Sequence, residues 1–267
     1  MSSVSEPVGG SEELVAAVRE LLARRPVLVA FDFDGVLAPI VEHPPDARPL
    51  PGVAPLVEEL AAADGVTVAL VSGRARANLA TVSGLGPDAG VLLVGSHGAE
   101  LDDTGPSMPR GPELDDAAVE RLGRVVSALR EVAARYPGAV VETKPSAGVL
   151  HTRQVSREQV AAATQEALQA VGVIEGAHVT RGKEVVEVAV TEATKGAAVQ
   201  GLRDALSASG VLYVGDDVTD ETVLSSLGPG DVGVKVGEGE TAATYRVESP
   251  EAVRELLRVL RDVAHAD

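Results

Sequence analysis

Two aspartates stand two positions apart directly after an apolar run near the start of the chain. The run 27–30 (Val-Leu-Val-Ala) leads into Phe31-Asp32-Phe33-Asp34-Gly35. A short apolar run of this kind predicts a buried strand, and side chains i and i+2 of a strand point to the same face. Neighbouring carboxylates repel each other unless a positive charge lies close by. Asp32 and Asp34 therefore indicate a site for metal binding and phosphoryl transfer.

A second acidic cluster follows another apolar run. Residues 211–214 (Val-Leu-Tyr-Val) lead into Gly-Asp-Asp-Val-Thr-Asp-Glu at 215–221. The spacing does not match an EF-hand loop, which has acids at alternate positions and a central glycine. Together with Asp32 and Asp34 it predicts several carboxylates at one sheet edge, a set that suits a hard divalent ion such as Mg²⁺. Taken singly, one of these acids could instead cap the following helix.

Both motifs belong to a repeating pattern of strands and helices. Strands rich in Val and Leu that alternate with helices are typical of a parallel sheet buried on both faces. Functional residues of such sheets lie at the carboxyl ends of the strands. We expect helices over 12–24, 51–63, 195–208 and from 250, and strands over 27–32, 66–71, 91–94, 211–214, 232–236 and 244–247.

The middle of the chain has a different pattern. A stretch rich in Gly and Pro at 102–112 precedes helices at 113–135 and 156–171 and strands at 139–145, 148–154, 178–181 and 184–190. This predicts a small α+β module inserted into the main domain. We assign 12–105 and 191–267 to the core and 112–190 to the inserted cap, with hinges at 102–112 and 191–194.

One face of the predicted cap sheet is polar. If Ser146-Ala147 forms the hairpin turn, Glu142 lies opposite His151 and shares a face with Lys144. Strand alternation adds further charged side chains. The polar face then carries Glu142, Lys144, Arg153, Lys183 and Glu187. The alternative is a solvated outer face with ordinary ion pairs.

Composition excludes several functional classes. The net charge of −17 argues against nucleic acid or an anionic membrane as a partner. There is no cysteine, hence no disulfide, thiolate metal site or cysteine nucleophile. The polar start of the chain lacks the apolar segment of a signal peptide, and no run approaches ~20 apolar residues. We expect a soluble, cytoplasmic protein.

At this point the motifs resemble a known family. The segments 31–35, 72–74 (Ser-Gly-Arg), 195–196 (Lys-Gly) and 215–221 are similar to the four ordered motifs of haloacid dehalogenase superfamily phosphatases. Segments at 34–41, 95–100, 182–188, 215–221 and 236–243 resemble the trehalose-6-phosphate phosphatase branch. One departure is Val36, where many members have threonine. The resemblance implies an α/β fold with a Rossmann-like parallel-sheet core and an inserted α/β cap domain.

The resemblance also implies catalytic roles. Asp32 would attack phosphorus and form an aspartyl-phosphate. Asp34 would protonate the leaving oxygen and later deprotonate water. This requires Asp34 to start protonated, and crowding by other acids in the site is expected to favour that state. Mg²⁺ would be held by Asp32, Asp216 and the backbone carbonyl of Asp34.

Further residues follow from the same motifs. Ser72 would hydrogen-bond a phosphoryl oxygen and Lys195 would neutralise charge in the transition state. Asp217 and Asp220 would orient Lys195 or a metal-bound water. Taken alone, Ser72 reads as a helix cap and Lys195 as a solvated helix start.

Arg74, His97 and Glu100 are candidate substrate-binding residues beside the core motifs. The alternatives are that Arg74 is only an ion-pair partner of the acidic site, that His97 is a hydrogen-bonded loop residue and that Glu100 is a surface acid. By resemblance, the polar cap face would close over the phosphate and bind sugar hydroxyls, excluding water. Lys235 is expected at the surface, with no role.

We therefore expect a monomeric, Mg²⁺-dependent phosphatase that hydrolyses trehalose 6-phosphate, without nucleic-acid or membrane partners. Alternatives are a phosphatase for sucrose, mannosylglycerate or glucosylglycerol phosphate, a non-catalytic phospho-sugar sensor, and a metal-dependent phosphomutase.

Overall fold

The structure is a computed structural model that describes residues 12–101, 114–182 and 184–266. Its strands are β1 (Val27–Phe31), β2 (Val66–Val71), β3 (Leu92–Val94), β4 (Val140–Lys144), β5 (Ala147–His151), β6 (His178–Gly182), β7 (Val185–Ala189), β8 (Gly210–Gly215), β9 (Val232–Val236) and β10 (Tyr245–Val247). Its helices are α1 (Glu12–Leu22), α2 (Val53–Ala61), α3 (Arg76–Val82), α4 (Asp116–Ala133), α5 (Arg157–Gly172), α6 (Lys195–Leu206), α7 (Glu221–Leu224) and α8 (Pro250–Ala264).

The chain divides into two compact units, one formed by Met1–Gly111 with Thr194–Asp267 and the other by Pro112–Ala193. The first, here called the core unit, contains one six-stranded sheet in the order β10-β9-β8-β1-β2-β3. All its strand pairs are parallel. The carboxyl ends of all six strands therefore lie at one edge.

Both faces of the central strand β1 are buried, as its continuous apolar sequence requires. Val27, Val29 and Phe31 belong to the apolar cluster that includes residues of α1, α2 and α8. Leu28 and Ala30 point the other way, into a cluster with residues of α6 and α7. This packing fixes the position at which β1 ends and the acidic loop begins.

The second unit, here called the cap unit, has an antiparallel sheet in the order β4-β5-β7-β6. Leu150, Val186 and Val188 pack with residues of α4 and α5 in its own apolar cluster. By alternation, Glu187 lies on the opposite face of β7. The predicted α/β fold, a parallel-sheet core with an inserted α/β cap, is confirmed.

The predicted register of the cap hairpin is wrong by two residues. Lys144 pairs with Ala147 and Glu142 pairs with Val149, so the turn is Pro145-Ser146. Proline cannot donate to the ladder and favours a turn position, which explains the shift. Glu142 and Lys144 share a face in any register, since they are two positions apart on one strand. Because the shift is even, His151 of the partner strand also stays on that face.

Two other cap expectations change. β5 ends at His151, so strand alternation does not place Arg153 on the polar face. Lys183 and the predicted hinge at 102–112 lie outside the described residues. Within the described ranges, none of the helices combines the length and apolar composition that crossing a membrane requires.

Candidate active site

The Asp32 carboxylate lies at the carboxyl end of β1, next to a buried ammonium. Its backbone N–H donates to Val214 of β8 at 2.9 Å, which aligns the two acidic loops. Lys195 Nζ lies 2.8 Å from Asp32 Oδ2, and its side chain is only 2% exposed. A lysine at the first residue of α6 interacts unfavourably with the helix dipole. Its burial here is therefore explained by its contacts with the carboxylates.

Asp220 holds this ammonium from the other side. Its Oδ1 accepts from Lys195 Nζ at 2.8 Å and from the Tyr213 hydroxyl at 2.6 Å. Its Oδ2 accepts the backbone N–H groups of Asp216 and Asp217, each at 3.0 Å. Both oxygens are occupied by protein donors, so Asp220 orients its neighbours and has little capacity left for a metal ion.

Asp216 lies against the loop that follows β1. A Cβ at Gly35 would stand 2.0 Å from Asp216 Oδ2, so only glycine, here with φ +77°, permits this approach. Carboxylate oxygens of Asp32, Asp216 and Asp220 lie within 4.8 Å of one another. Asp216 Oδ1 is buried and has no hydrogen-bond partner among the described residues.

The donor set fits a hard divalent cation. Lys195 contacts two of the three carboxylates, Asp32 and Asp220, so a single ammonium pairs directly with the cluster and negative charge is in excess. Carboxylate oxygens are the ligands that Mg²⁺ prefers. With Asp220 saturated, Asp32 and the orphaned oxygen of Asp216 are the side chains that would hold the ion.

Titration in the cluster reflects this excess of negative charge. Burial raises the pKa of Asp32, and Lys195 works against that rise. Burial and then the charge of Asp220 raise the pKa of Asp216 to about 6. For Lys195, burial favours the neutral amine, but Asp32 and Asp220 outweigh it and raise the pKa above its ordinary value. A bound cation would therefore stabilise the ionised forms of Asp32 and Asp216.

Opposing effects also act on the partners of Lys195. Burial would raise the pKa of Asp220, but the charge of Lys195 and the hydrogen bonds from Lys195, Tyr213 and the Asp217 N–H together lower it. Burial and then Asp220 raise the pKa of Tyr213 well above its ordinary value. The Tyr213 phenol therefore stays a donor, and Asp220 and Lys195 stay a charged pair.

Asp34 has a cation as its neighbour rather than the acidic cluster. Arg74 Nε and one terminal nitrogen reach Asp34 Oδ2 and Oδ1 at 2.6 and 2.7 Å. The other terminal nitrogen of Arg74 donates to Asn78 at 2.9 Å, and the guanidinium lies 5.6 Å from the centre of the Phe33 ring. The expectation that crowding by other acids keeps Asp34 protonated does not match this surrounding.

Ser72 and His97 meet at the ends of β2 and β3. Ser72 is buried, and its Oγ accepts the Arg74 backbone N–H at 3.2 Å. It does not cap α3, whose N-cap position is Ala75. A Cβ at Gly73 would meet the His97 ring at 2.5 Å, so the ring covers the loop between Ser72 and Arg74.

Glu100 closes the loop that carries His97. Its Oε1 accepts from the hydroxyl of Ser96, and its backbone pairs with Gly95. Ser96 and His97 both have left-handed backbone, with φ of 48° and 55°. Such conformations cost energy outside glycine, so the bonds of Glu100 maintain the loop.

The polar candidates in the cap unit form ion pairs. Lys144 Nζ lies 2.8 Å from Glu187 Oε2, with both side chains largely buried. His151 Nε2 lies 2.9 Å from Glu142 Oε2 at an exposed position. Arg153 lies 3.6 Å from Glu184.

The structure changes the interpretation of Asp217 and Lys235 and adds Tyr213 to the site. Asp217 is exposed and its Oδ1 accepts the N–H of Val218, so its contact is local to the loop. Lys235, expected at the surface, is 4% exposed and donates to the Asp216 carbonyl. Tyr213 is not identified by the sequence analysis. A usable signal exists, because Tyr213 is one of only three tyrosines in the chain and stands three positions before Asp216.

Comparison with known proteins agrees with the fold and the motifs. A Candida albicans structure titled as the C-terminal domain of trehalose-6-phosphate phosphatase superposes with a TM-score of 0.76 at 23% identity, covering 96% of this chain and 99% of that one. A sugar phosphatase titled as a member of the HAD superfamily, BT4131, superposes at 0.56 with 13% identity, covering 87% and 98%. The molecule thus has the fold of haloacid dehalogenase superfamily phosphatases.

Sequence comparison identifies the family within this class of fold. The family model for trehalose-phosphatase matches residues 30–251, so the chain belongs to that family. A trehalose-phosphate phosphatase of Mycobacterium tuberculosis is 35% identical over 264 residues, covering 91% of this chain. The chain spans 64% of the length of that relative. The resemblance inferred from the motifs is confirmed.

Proposed function

We propose that this protein is a Mg²⁺-dependent phosphatase that hydrolyses trehalose 6-phosphate to trehalose and phosphate. The observation that carries the proposal is the placement of Asp32, whose Oδ2 lies 2.8 Å from the buried Lys195 ammonium. A carboxylate held by a fixed cation at a strand end, beside a second carboxylate, suits attack on an anionic phosphoryl group. Membership of the trehalose-phosphatase family supports the substrate.

The first half of the reaction transfers the phosphoryl group to Asp32. A carboxylate oxygen of Asp32 forms a bond to phosphorus as the bond from phosphorus to the sugar oxygen breaks. Asp34 gives its proton to that sugar oxygen, so trehalose leaves as the neutral alcohol. The product is an aspartyl-phosphate, and Asp34 is left as a carboxylate.

The second half regenerates the enzyme. Asp34 takes a proton from a water molecule, whose oxygen attacks phosphorus as the bond to Asp32 breaks. Phosphate leaves, Asp32 is again a carboxylate and Asp34 is again protonated. Arg74 must loosen at least one of its two bonds to Asp34 for that carboxyl to carry a proton.

Asp32, Asp216 and the backbone carbonyl of Asp34 would hold Mg²⁺. When bound, the ion supplies positive charge that lets an anionic nucleophile meet an anionic phosphate. Lys195 adds a fixed positive charge for the transferring group, and Ser72 adds a hydroxyl donor. Asp220 and Tyr213 keep Lys195 charged and in position.

The cap unit would select the sugar. Glu142, Lys144 and Glu187 are charged groups on one face of its sheet, suited to hydrogen bonds with sugar hydroxyls. Lys183 belongs to this proposal by its place in the sequence. Arg153 belongs to it as a residue beyond the end of β5 and not as part of the sheet face. His97 and Glu100 would shape the core side of the site through the loop they form.

The test is phosphate release with Mg²⁺ and with EDTA from trehalose 6-phosphate, sucrose 6-phosphate, glucose 6-phosphate and mannosyl-3-phosphoglycerate. We expect metal-dependent release that is fastest from trehalose 6-phosphate. Preference for another of these substrates would overturn the sugar assignment while retaining the chemistry. No release from any would overturn both. The monomeric state and cytoplasmic location stay predictions.

A further inference from the structure

Lys235 is a buried charge that the proposed reaction does not use. It lies on β9 between Val234 and Val236, both core residues, and its side chain is 5% exposed. It is one of only four lysines in the chain. Burying an ammonium is unfavourable unless it is paired and hydrogen-bonded. An apolar residue would fill this strand position without that cost.

The ammonium of Lys235 contacts the backbone of the acidic loop that follows β8. Its Nζ donates to the backbone carbonyl of Asp216 at 2.6 Å. Its ionic partner is Glu221, whose Oε1 lies 3.6 Å away. The other oxygen of Glu221 accepts the Ala242 N–H at 2.9 Å, which ties the pair to the loop after β9.

Both polar groups of the Asp216 backbone, the N–H and the carbonyl, are therefore hydrogen-bonded. Its N–H donates to Asp220 Oδ2 at 3.0 Å, and its carbonyl accepts from Lys235. On a third side the Asp216 carboxylate packs against Gly35, where a Cβ would clash with it. The direction of that carboxylate, and of its unpartnered Oδ1, depends on these restraints.

We propose that Lys235 is a positioning residue for the metal site. It acts through the carbonyl of Asp216, holding the peptide so that the carboxylate faces Asp32 before any ion arrives. Outer partners of this kind typically change metal affinity by about 10- to 100-fold when removed. The inference rests on the proposed Mg²⁺ site.

The experiment compares Mg²⁺ binding by the full-length wild type and Lys235→Met, measured by isothermal titration calorimetry without substrate. Methionine keeps an unbranched apolar stem but removes the charge and the donor. We expect the Kd for Mg²⁺ to rise about tenfold. Lys235→Gln keeps an N–H donor one bond shorter, and its Kd should lie between those of the other two proteins.

The matched control is Arg203→Met. Arg203 pairs at 2.7 Å with Asp231, a buried acid just before the opposite end of β9. Its loss should lower the melting temperature and leave the Kd for Mg²⁺ unchanged, as expected of a purely structural pair.

A Kd in Lys235→Met within about twofold of wild type, at any melting temperature, would overturn the proposal. If that variant does not fold, an unchanged Kd in Lys235→Gln would overturn it instead. The proposed function fails separately, through a wild type that neither binds Mg²⁺ nor releases phosphate.

Discussion

Arg74 holds both carboxylate oxygens of Asp34, through two N–H donors at 2.6 and 2.7 Å. Such a bidentate pair fixes the plane of the carboxylate as well as its position. Asn78 accepts from the same guanidinium, so Arg74 is itself oriented. The group proposed to deliver a proton to the sugar oxygen is thus aimed by an arginine from the Ser-Gly-Arg motif.

Replacing Arg74 should damage proton transfer more than phosphoryl transfer. Arg74→Lys keeps the charge but cannot form the planar pair. We expect kcat/KM for trehalose 6-phosphate to fall about tenfold, part of what general acid catalysis contributes. For p-nitrophenyl phosphate, whose leaving group needs no proton, it should change little. Equal losses on both substrates would contradict the role.

The control for this prediction is Arg258→Ala. Arg258 forms an exposed pair with Glu255 within α8. Exposed pairs contribute little, so neither substrate should be affected.

The Tyr213 hydroxyl should matter for stability because it is buried on a charged acceptor. Tyr213→Phe removes a 2.6 Å bond to Asp220 and leaves that carboxylate with one donor fewer. We expect the free energy of unfolding to fall by about 1–3 kcal/mol, measured by urea denaturation.

Tyr136→Phe is the matched comparison. Its hydroxyl bonds Glu166 at 2.7 Å in the cap unit, at a partly exposed position. Stability should change little there. If the two substitutions cost the same, burial of the Asp220 network is not what makes the Tyr213 bond valuable.

The strands and the motif residues at their ends could be predicted from the sequence. Continuous Val/Leu runs predict strands buried on both faces, and parallel connections bring their carboxyl ends to one edge. That is why Asp32 and Asp216, distant in the sequence, were expected together. The short helix α3 was not predicted, since its seven residues carry little periodic signal.

What could not be predicted depends on pairings across the chain. Lys235 reads as an exposed charge in a strand until its neighbour, Asp216, is known. Arg74 was an expected ion-pair partner of the acidic site, but the identity of its partner, Asp34, required the fold, because the two residues lie forty positions apart. The hairpin turn lies one residue earlier than the strand pattern indicates, because Pro145 favours a turn position, and this changes each cross-strand pairing by two residues.

Mg²⁺ should stabilise the protein more at neutral than at acidic pH. The pKa of Asp216 is raised from 3.8 to about 6, so the metal-free native state binds a proton more tightly than the unfolded chain. Stability from this group is present at low pH and lost as pH rises through about 6. Mg²⁺ competes with that proton.

The measurement is the rise in melting temperature on adding Mg²⁺, at about pH 5 and about pH 7.5. We expect the larger rise at the higher pH, and none in Asp216→Asn. The same rise at both values would rule out Asp216 as a ligand that titrates in this range.

Glu187 should serve sugar recognition rather than chemistry. Glu187→Ala removes a carboxylate that would accept sugar hydroxyls, so KM for trehalose 6-phosphate should rise about tenfold or more. Turnover of p-nitrophenyl phosphate should be spared. Glu166→Ala, at a surface pair with Arg135 in the same unit, should affect neither. A proportional loss on both substrates would assign Glu187 a structural role.

Asp32 is the group that we propose attacks phosphorus. The most direct measurement is phosphate release from trehalose 6-phosphate with Mg²⁺ by wild type and Asp32→Asn, with folding of both checked by circular dichroism. Asparagine keeps the shape, but its amide lacks the nucleophilic carboxylate. We expect rapid release by wild type and none above background by the folded variant. A folded Asp32→Asn protein that still turns over the substrate would show that Asp32 is not the nucleophile.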